Sequence, residues 1–102
     1  MKQNREIKFI AHVVRWFDKV NGNTYHSVKI ERVADGQVIA VPMTYGYGDH
    51  YRQTGLNLLL ENQWINGYTK ETIYLYEREN NYPIIWNLTD GLKRECVANG
   101  KI

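Results

Sequence analysis

Two tight reversals, Asn21-Gly22 and Asp35-Gly36, constrain this chain more than any other feature, because each lies between two β-prone runs. Asparagine, aspartate and glycine all tolerate positive φ, so such pairs favour two-residue hairpin loops. A two-residue loop at the first pair sets Val20 opposite Asn23, Phe17 opposite His26, Arg15 opposite Val28 and Val13 opposite Ile30. The same loop at the second sets Ile30 opposite Val41 and Val28 opposite Met43. The two placements agree. Side chains alternate with period two along a strand. One face of a three-stranded meander then carries Ile7, Phe9, Ala11, Val13, Phe17, Val28, Ile30, Ile39, Val41 and Met43.

Residues 44–49 contain Gly46 and Gly48 and read as a loop. Asp49 is placed to cap a main helix over residues 50–62, with Tyr51, Gly55, Leu58 and Leu59 at helical spacing and Leu56 and Leu60 widening the stripe. A glycine inside a helix costs about 1 kcal/mol relative to alanine, so Gly55 implies close packing against a strand or ring. Residues 64–70 read as an irregular connection. Residues 71–78 and 83–88 alternate well enough for a hairpin about Asn80-Asn81, with Pro83 favouring a sheet edge. Residues 89–98 suggest a short terminal helix capped by Thr89, with a hairpin about Asp90-Gly91 as the competing reading. The expected architecture is one α+β domain over residues 1–102: an antiparallel sheet of about five strands, one main helix and a short C-terminal helix.

These registers also define an opposite face. On the meander it presents His12, Val14, Trp16, Tyr25, Ser27, Lys29 and Glu31, and on the later hairpin Tyr74, Tyr76, Arg78, Ile85 and Asn87. Eight tyrosines and three tryptophans are many for a chain of 102 residues, and each needs a partner for its polar tip. Unless the short terminal helix lies across it, this face is a plate of rings bordered by Lys29 and Arg78. Aromatic rings interleaved with cations suit single-stranded nucleic acid or a nucleotide base, each stacked base contributing about 1–3 kcal/mol. The same plate equally suits a homo-oligomer interface. A second candidate is the helix entrance, where Tyr45, Tyr47, His50 and Arg52 surround backbone N–H groups able to seat an anion, against which Asp49 acts by occupying those donors.

Catalysis has few candidates. The only histidines are His12, His26 and His50, and His26 on the oily face beside Phe17 reads as a hydrogen-bonded structural residue. Arg15 on that same face needs a partner, for which Glu77 is a candidate, or else it lines a pocket with His26. No metal-ligand spacing occurs and no cofactor motif is present. The single cysteine, Cys96, excludes an internal disulfide and reads as a small hydrophobe. The formal net charge of +2 neither demands nor excludes an anionic ligand. No apolar run approaches the roughly 18 residues of a membrane helix, and the start of the chain lacks an apolar signal core.

The run from Arg15-Trp16-Phe17-Asp18 through Asn21-Gly22-Asn23-Thr24-Tyr25-His26-Ser27-Val28, followed by Tyr45-Gly46-Tyr47-Gly48, resembles small proteins encoded by tailed bacteriophages. The resemblance covers the first half of the chain and carries no activity with it. It implies a bacterial host cytoplasm and, by analogy, a binding role. The expectation is a non-enzymatic, homo-oligomeric binder of a nucleotide-like or single-stranded nucleic-acid ligand, with no membrane partner. Its candidate residues are Trp16, Tyr25, Lys29, Tyr74, Tyr76 and Arg78 on the sheet and Tyr45, Tyr47, His50 and Arg52 at the helix entrance. The rivals are a protein-interaction module that occludes a host protein and a histidine-dependent phosphodiester or nucleotide hydrolase.

Overall fold

The computed structural model describes residues 5–102. Residues 1–4, part of the start that shows no apolar signal core, lie outside them. Strands β1 (Phe9–Asp18), β2 (Asn23–Arg32) and β3 (Val38–Tyr45) form the expected antiparallel meander. Helix α1 (His50–Glu61) follows, then a 3₁₀ turn (Ile73–Leu75) running into α2 (Tyr76–Glu79), strand β4 (Ile84–Asp90) and helix α3 (Lys93–Asn99). The sheet has four strands in the order β3-β2-β1-β4, and β4 runs parallel to β1. The expected fifth strand and the wholly antiparallel sheet are thereby corrected to a mixed, four-stranded α+β arrangement. Among the described residues no helix is long and apolar enough to cross a membrane.

Both turns are longer than a two-residue loop. Asp18 pairs with Asn23, leaving residues 19–22 as the loop, and the Gly22 N–H donates to the Asp18 carbonyl at 2.8 Å. The second turn repeats this: the Arg32 N–H donates to the Gln37 carbonyl, and the Gly36 N–H to the Arg32 carbonyl. In both, glycine holds the left-handed position that closes a four-residue loop, at φ of 69° and 74°. Asp18 ties its turn down by accepting from the Val20 and Asn21 amides, and Asp35 grips Arg32 through two bonds of 3.0 and 2.7 Å. Each register consequently slips by two residues from expectation, so that Val28 faces Val13 and Val41. A slip of two leaves every side chain on its expected face.

The oily face is buried at Phe9, Ala11, Val13, Val28 and Ile30, with Ile39 and Val41 packed against it. Phe17, near the strand end, is 53% exposed and does not join this core. Helix α1 lies on the same side and buries Tyr51, Gly55, Leu56, Leu58 and Leu59. A Cβ at Gly55 would stand 2.7 Å from the Trp86 ring, the close approach its place in the helix implied. Asp49 occupies the N-cap position without making a side-chain cap bond.

Residues 71–78 are not a strand. Thr72 accepts from the Thr69 N–H, and the Thr72 and Ile73 amides donate back to the Thr69 carbonyl, which winds the chain into a helical turn. Ile73 and Tyr76, three apart, are buried, whereas alternation had paired Ile73 with Leu75. Asn81 and Tyr82 adopt left-handed φ of 58° and 53° and end the turn before Pro83. Without that strand β4 has no hairpin partner and pairs instead with β1, at the sheet edge that Pro83 favours. Thr89 belongs to β4 and not to the terminal helix; Leu92 is the N-cap of α3, its N–H donating to Glu95 at 2.7 Å.

Candidate functional site

Helix α3 lies across the second face of the sheet. Cys96 is fully buried beneath it, the Ser27 hydroxyl donates to the Cys96 carbonyl at 2.6 Å, and Asn99 donates to the His12 and Ser27 carbonyls. The aromatic plate is therefore cut down. At the end of the sheet beyond α3 a strip of four rings remains. Trp16 and Tyr25 are cross-strand partners and stack with centroids 5.5 Å apart. Tyr45 stands edge-on to Tyr25 at 5.8 Å, and Tyr47 edge-on to Tyr45 at 6.5 Å. Trp16 and Tyr25 are half-buried, whereas Tyr45 is 56% and Tyr47 70% exposed. The Lys93 ammonium at the start of α3 lies 5.5 Å from the centre of the Trp16 ring.

Trp16 also forms one wall of a groove of about 840 Å³ that passes over Phe17, Asp18, Thr24, Gly91 and Leu92. Its floor is the Arg15–Asp90 ion pair, 2.9 Å long, with a further bond of 2.8 Å from Arg15 to the Gly48 carbonyl. Asp90, and not Glu77, is the partner Arg15 requires, because the parallel register sets the two side by side. The Arg15 hydrogen bond holds the Asp90 carboxyl below its ordinary pKa. Glu77 instead accepts from the Trp86 indole at 3.0 Å and faces Arg52 at 3.8 Å.

The remaining candidates lie elsewhere. Lys29 is on the same face as the strip but pairs with His12, whose carbonyl Asn99 reaches, away from the Trp16–Tyr25 pair. Tyr74, Tyr76 and Arg78 are not on the sheet, since their segment is helical. Tyr76 is buried in the core, where desolvation pushes its hydroxyl pKa up to about 12, and Tyr74 is 66% exposed. His50, Arg52 and Tyr74 converge on a shallow cavity of about 470 Å³, which Asp49 and Glu77 also line. Arg52 is already engaged there, over the Trp86 ring and beside Glu77. Two acidic groups at its margin make this cavity a poor anion seat.

His26 is fully buried, with Nδ1 3.1 Å from the Gly46 carbonyl and Nε2 2.8 Å from the Thr54 hydroxyl. A carbonyl only accepts, so Nδ1 carries the proton and Nε2 accepts from Thr54. Both nitrogens are occupied, as a structural histidine requires. His12 lies on the opposite face of the sheet, and although the His50 ring stands 5.7 Å from that of His26, both His26 nitrogens are already bonded to Gly46 and Thr54. Among the described residues no group of three or more His, Cys, Asp or Glu side chains is placed to hold a metal.

The sequence reading missed Lys93, which read only as part of a terminal helix, and it assigned Tyr45 and Tyr47 to the helix entrance. No local signal gives the path of α3 or joins those tyrosines to Tyr25. Comparison with protein-family models, with curated proteins and with solved structures found no match.

Proposed function

We propose that this chain is a non-enzymatic binder of single-stranded nucleic acid or a nucleotide-like ligand, using the Trp16-Tyr25-Tyr45-Tyr47 strip with Lys93 beside it. The observation that carries this reading is four contiguous rings on a sheet surface, the outer two more than half exposed, next to a cation. Such rings stack on bases of any identity, and a nearby ammonium meets the phosphate. Trp16 and Tyr25 brace each other and form the inner end, and Tyr45 and Tyr47 are the more exposed rings.

The test is titration with short oligonucleotides and free nucleotides, following tryptophan emission at several salt concentrations. Binding at the strip quenches Trp16, weakens as salt rises, and leaves no emission change in Trp16→Phe. Trp64 sits beneath Arg32 at 4.3 Å and Trp86 beneath Arg52, so neither belongs to the strip. An emission spectrum indifferent to every oligonucleotide and nucleotide sinks this reading and leaves the protein-interaction alternative.

A further inference from the structure

We propose that the outer edge of β4 docks a second copy of this chain, the two β4 strands pairing antiparallel about a twofold axis to join the two sheets. The ladder with β1 fixes which groups are free. The Phe9 N–H donates to the Pro83 carbonyl and the Gly91 N–H to the Arg15 carbonyl, so residues 83, 85, 87, 89 and 91 direct their backbone groups at β1. Ile84, Trp86, Leu88 and Asp90 direct theirs outward. Among the described residues, no hydrogen bond reaches the outward N–H or C=O of Trp86 or Leu88.

Natural sheets blunt such edges with proline, bulges or inward charges. The other edge is treated this way: β3 carries Pro42 and a bulge opposite Ser27, and Gly100 packs closely on Pro42 and the Val41 carbonyl. Residues 84–89 contain no charge, no proline and no bulge, and Ile85 and Leu88 are more than a third exposed. The edge is also self-complementary. Centring the pair on Asn87 sets Trp86 opposite Leu88 of the second copy, where each exchanges both backbone bonds with the other. The same register sets Ile84 opposite Asp90. Arg5, whose guanidinium holds the outward Ile84 carbonyl, thereby meets the Asp90 carboxylate of the second copy, once at each end. A twofold axis normal to the sheet keeps both α3 helices on one side. This inference does not depend on what the aromatic strip binds.

The experiment is sedimentation equilibrium with native mass spectrometry on the full chain and three variants. The wild type is expected at twice the 12.0 kDa chain mass. Leu88→Pro removes an outward N–H and no bond to β1, so a folded monomer is expected. Asn87→Lys, which sets two ammonium groups face to face at the centre, gives a monomer without touching the backbone and decides the matter if Leu88→Pro fails to fold. Asn87→Pro removes a bond to β1 and is expected to destabilise the monomer itself. A wild type at the mass of one chain at every concentration overturns the proposal. A dimer that survives Asn87→Lys, or an assembly larger than two, overturns it equally by placing the contact elsewhere.

Discussion

Acidification from about pH 7.5 to 5.5 should destabilise this protein through His26, and the structure bounds that residue's effect. Burial lowers the His26 pKa, and the nearby His50 adds to this, against the upward pull of the Gly46 carbonyl on Nδ1–H. Protonating Nε2 sets a second donor against the Thr54 hydroxyl, which must then turn toward the His50 carbonyl at 3.4 Å. The folded pKa lies below the unfolded one, so above about pH 6.5 both states are neutral and the group has no pH effect. Below that the unfolded chain takes up a proton that the folded chain resists, so stability falls as pH drops toward the folded pKa. One proton limits the slope to about 1.4 kcal/mol per pH unit, and the loss down to pH 5.5 to at most about 1.4 kcal/mol. Urea unfolding at intervals across this range measures it, and the aspartates with lowered pKa titrate below the window. His26→Gln keeps the site polar and cannot titrate, so its stability should lose the His26 share of the pH slope over the same interval. It should also be lower at pH 7.5 by about 1–3 kcal/mol, because the Gly46 carbonyl and Thr54 hydroxyl lose fitted partners. Equal pH slopes in the variant and the wild type would refute the assignment.

Three further outcomes follow from particular contacts. Gly55→Ala gains about 1 kcal/mol of helix propensity but drives a methyl group 2.7 Å from a Trp86 ring already held by Glu77 and Arg52. Overpacking of this kind costs about 1–3 kcal/mol, so the urea midpoint should fall, and an unchanged midpoint means that Trp86 yields freely. Cys96 is fully buried and burial raises its thiol pKa, so a disulfide reagent should modify it only at the rate of unfolding; immediate reaction in native buffer contradicts the placement of α3. Tyr47→Ala should weaken oligonucleotide binding by the roughly 1–3 kcal/mol of one stacked base with no change in stability, whereas Trp16→Ala should lower both.

What the sequence made legible was set by periodicity, and what it hid was set by contacts distant in the chain. The meander was readable because parity survives error: both loops hold four residues where two were expected, yet Val13, Val28 and Ile30 stay on the buried face. The α1 stripe was readable for the same reason, being a long run at helical spacing. Residues 71–78 misled because Ile73, Leu75 and Glu77 alternate while Ile73 and Tyr76 also fit a helical turn. The Thr69–Thr72 bonds, and not the apolar pattern, select the turn. The later half of the aromatic plate disappeared with that strand, taking Tyr74, Tyr76 and Arg78 off the sheet.

The surviving strip depends on one irregularity. From the turn as far as Val28 and Val41, β2 and β3 pair in a regular register that, continued, would set Thr44 opposite Tyr25 and send Tyr45 to the buried face. The ladder shifts by one between Val28 and His26, so that Tyr45 faces Tyr25 and Thr44 faces His26. A shift of one exchanges the faces of every residue beyond it. Pro42, inside the shifted interval, turns its nitrogen to the free edge of the sheet, because Gln37, Ile39 and Val41 direct their backbone groups at β2. This exchange adds Tyr45, and Tyr47 behind it, to the Trp16–Tyr25 stack on the outer face. It also brings the Gly46 carbonyl round to the Nδ1 proton of His26 on the inner face. The bulge therefore ties the exposed rings to the buried imidazole: the same shift that supplies His26 with its acceptor turns the two most exposed rings of the strip toward solvent.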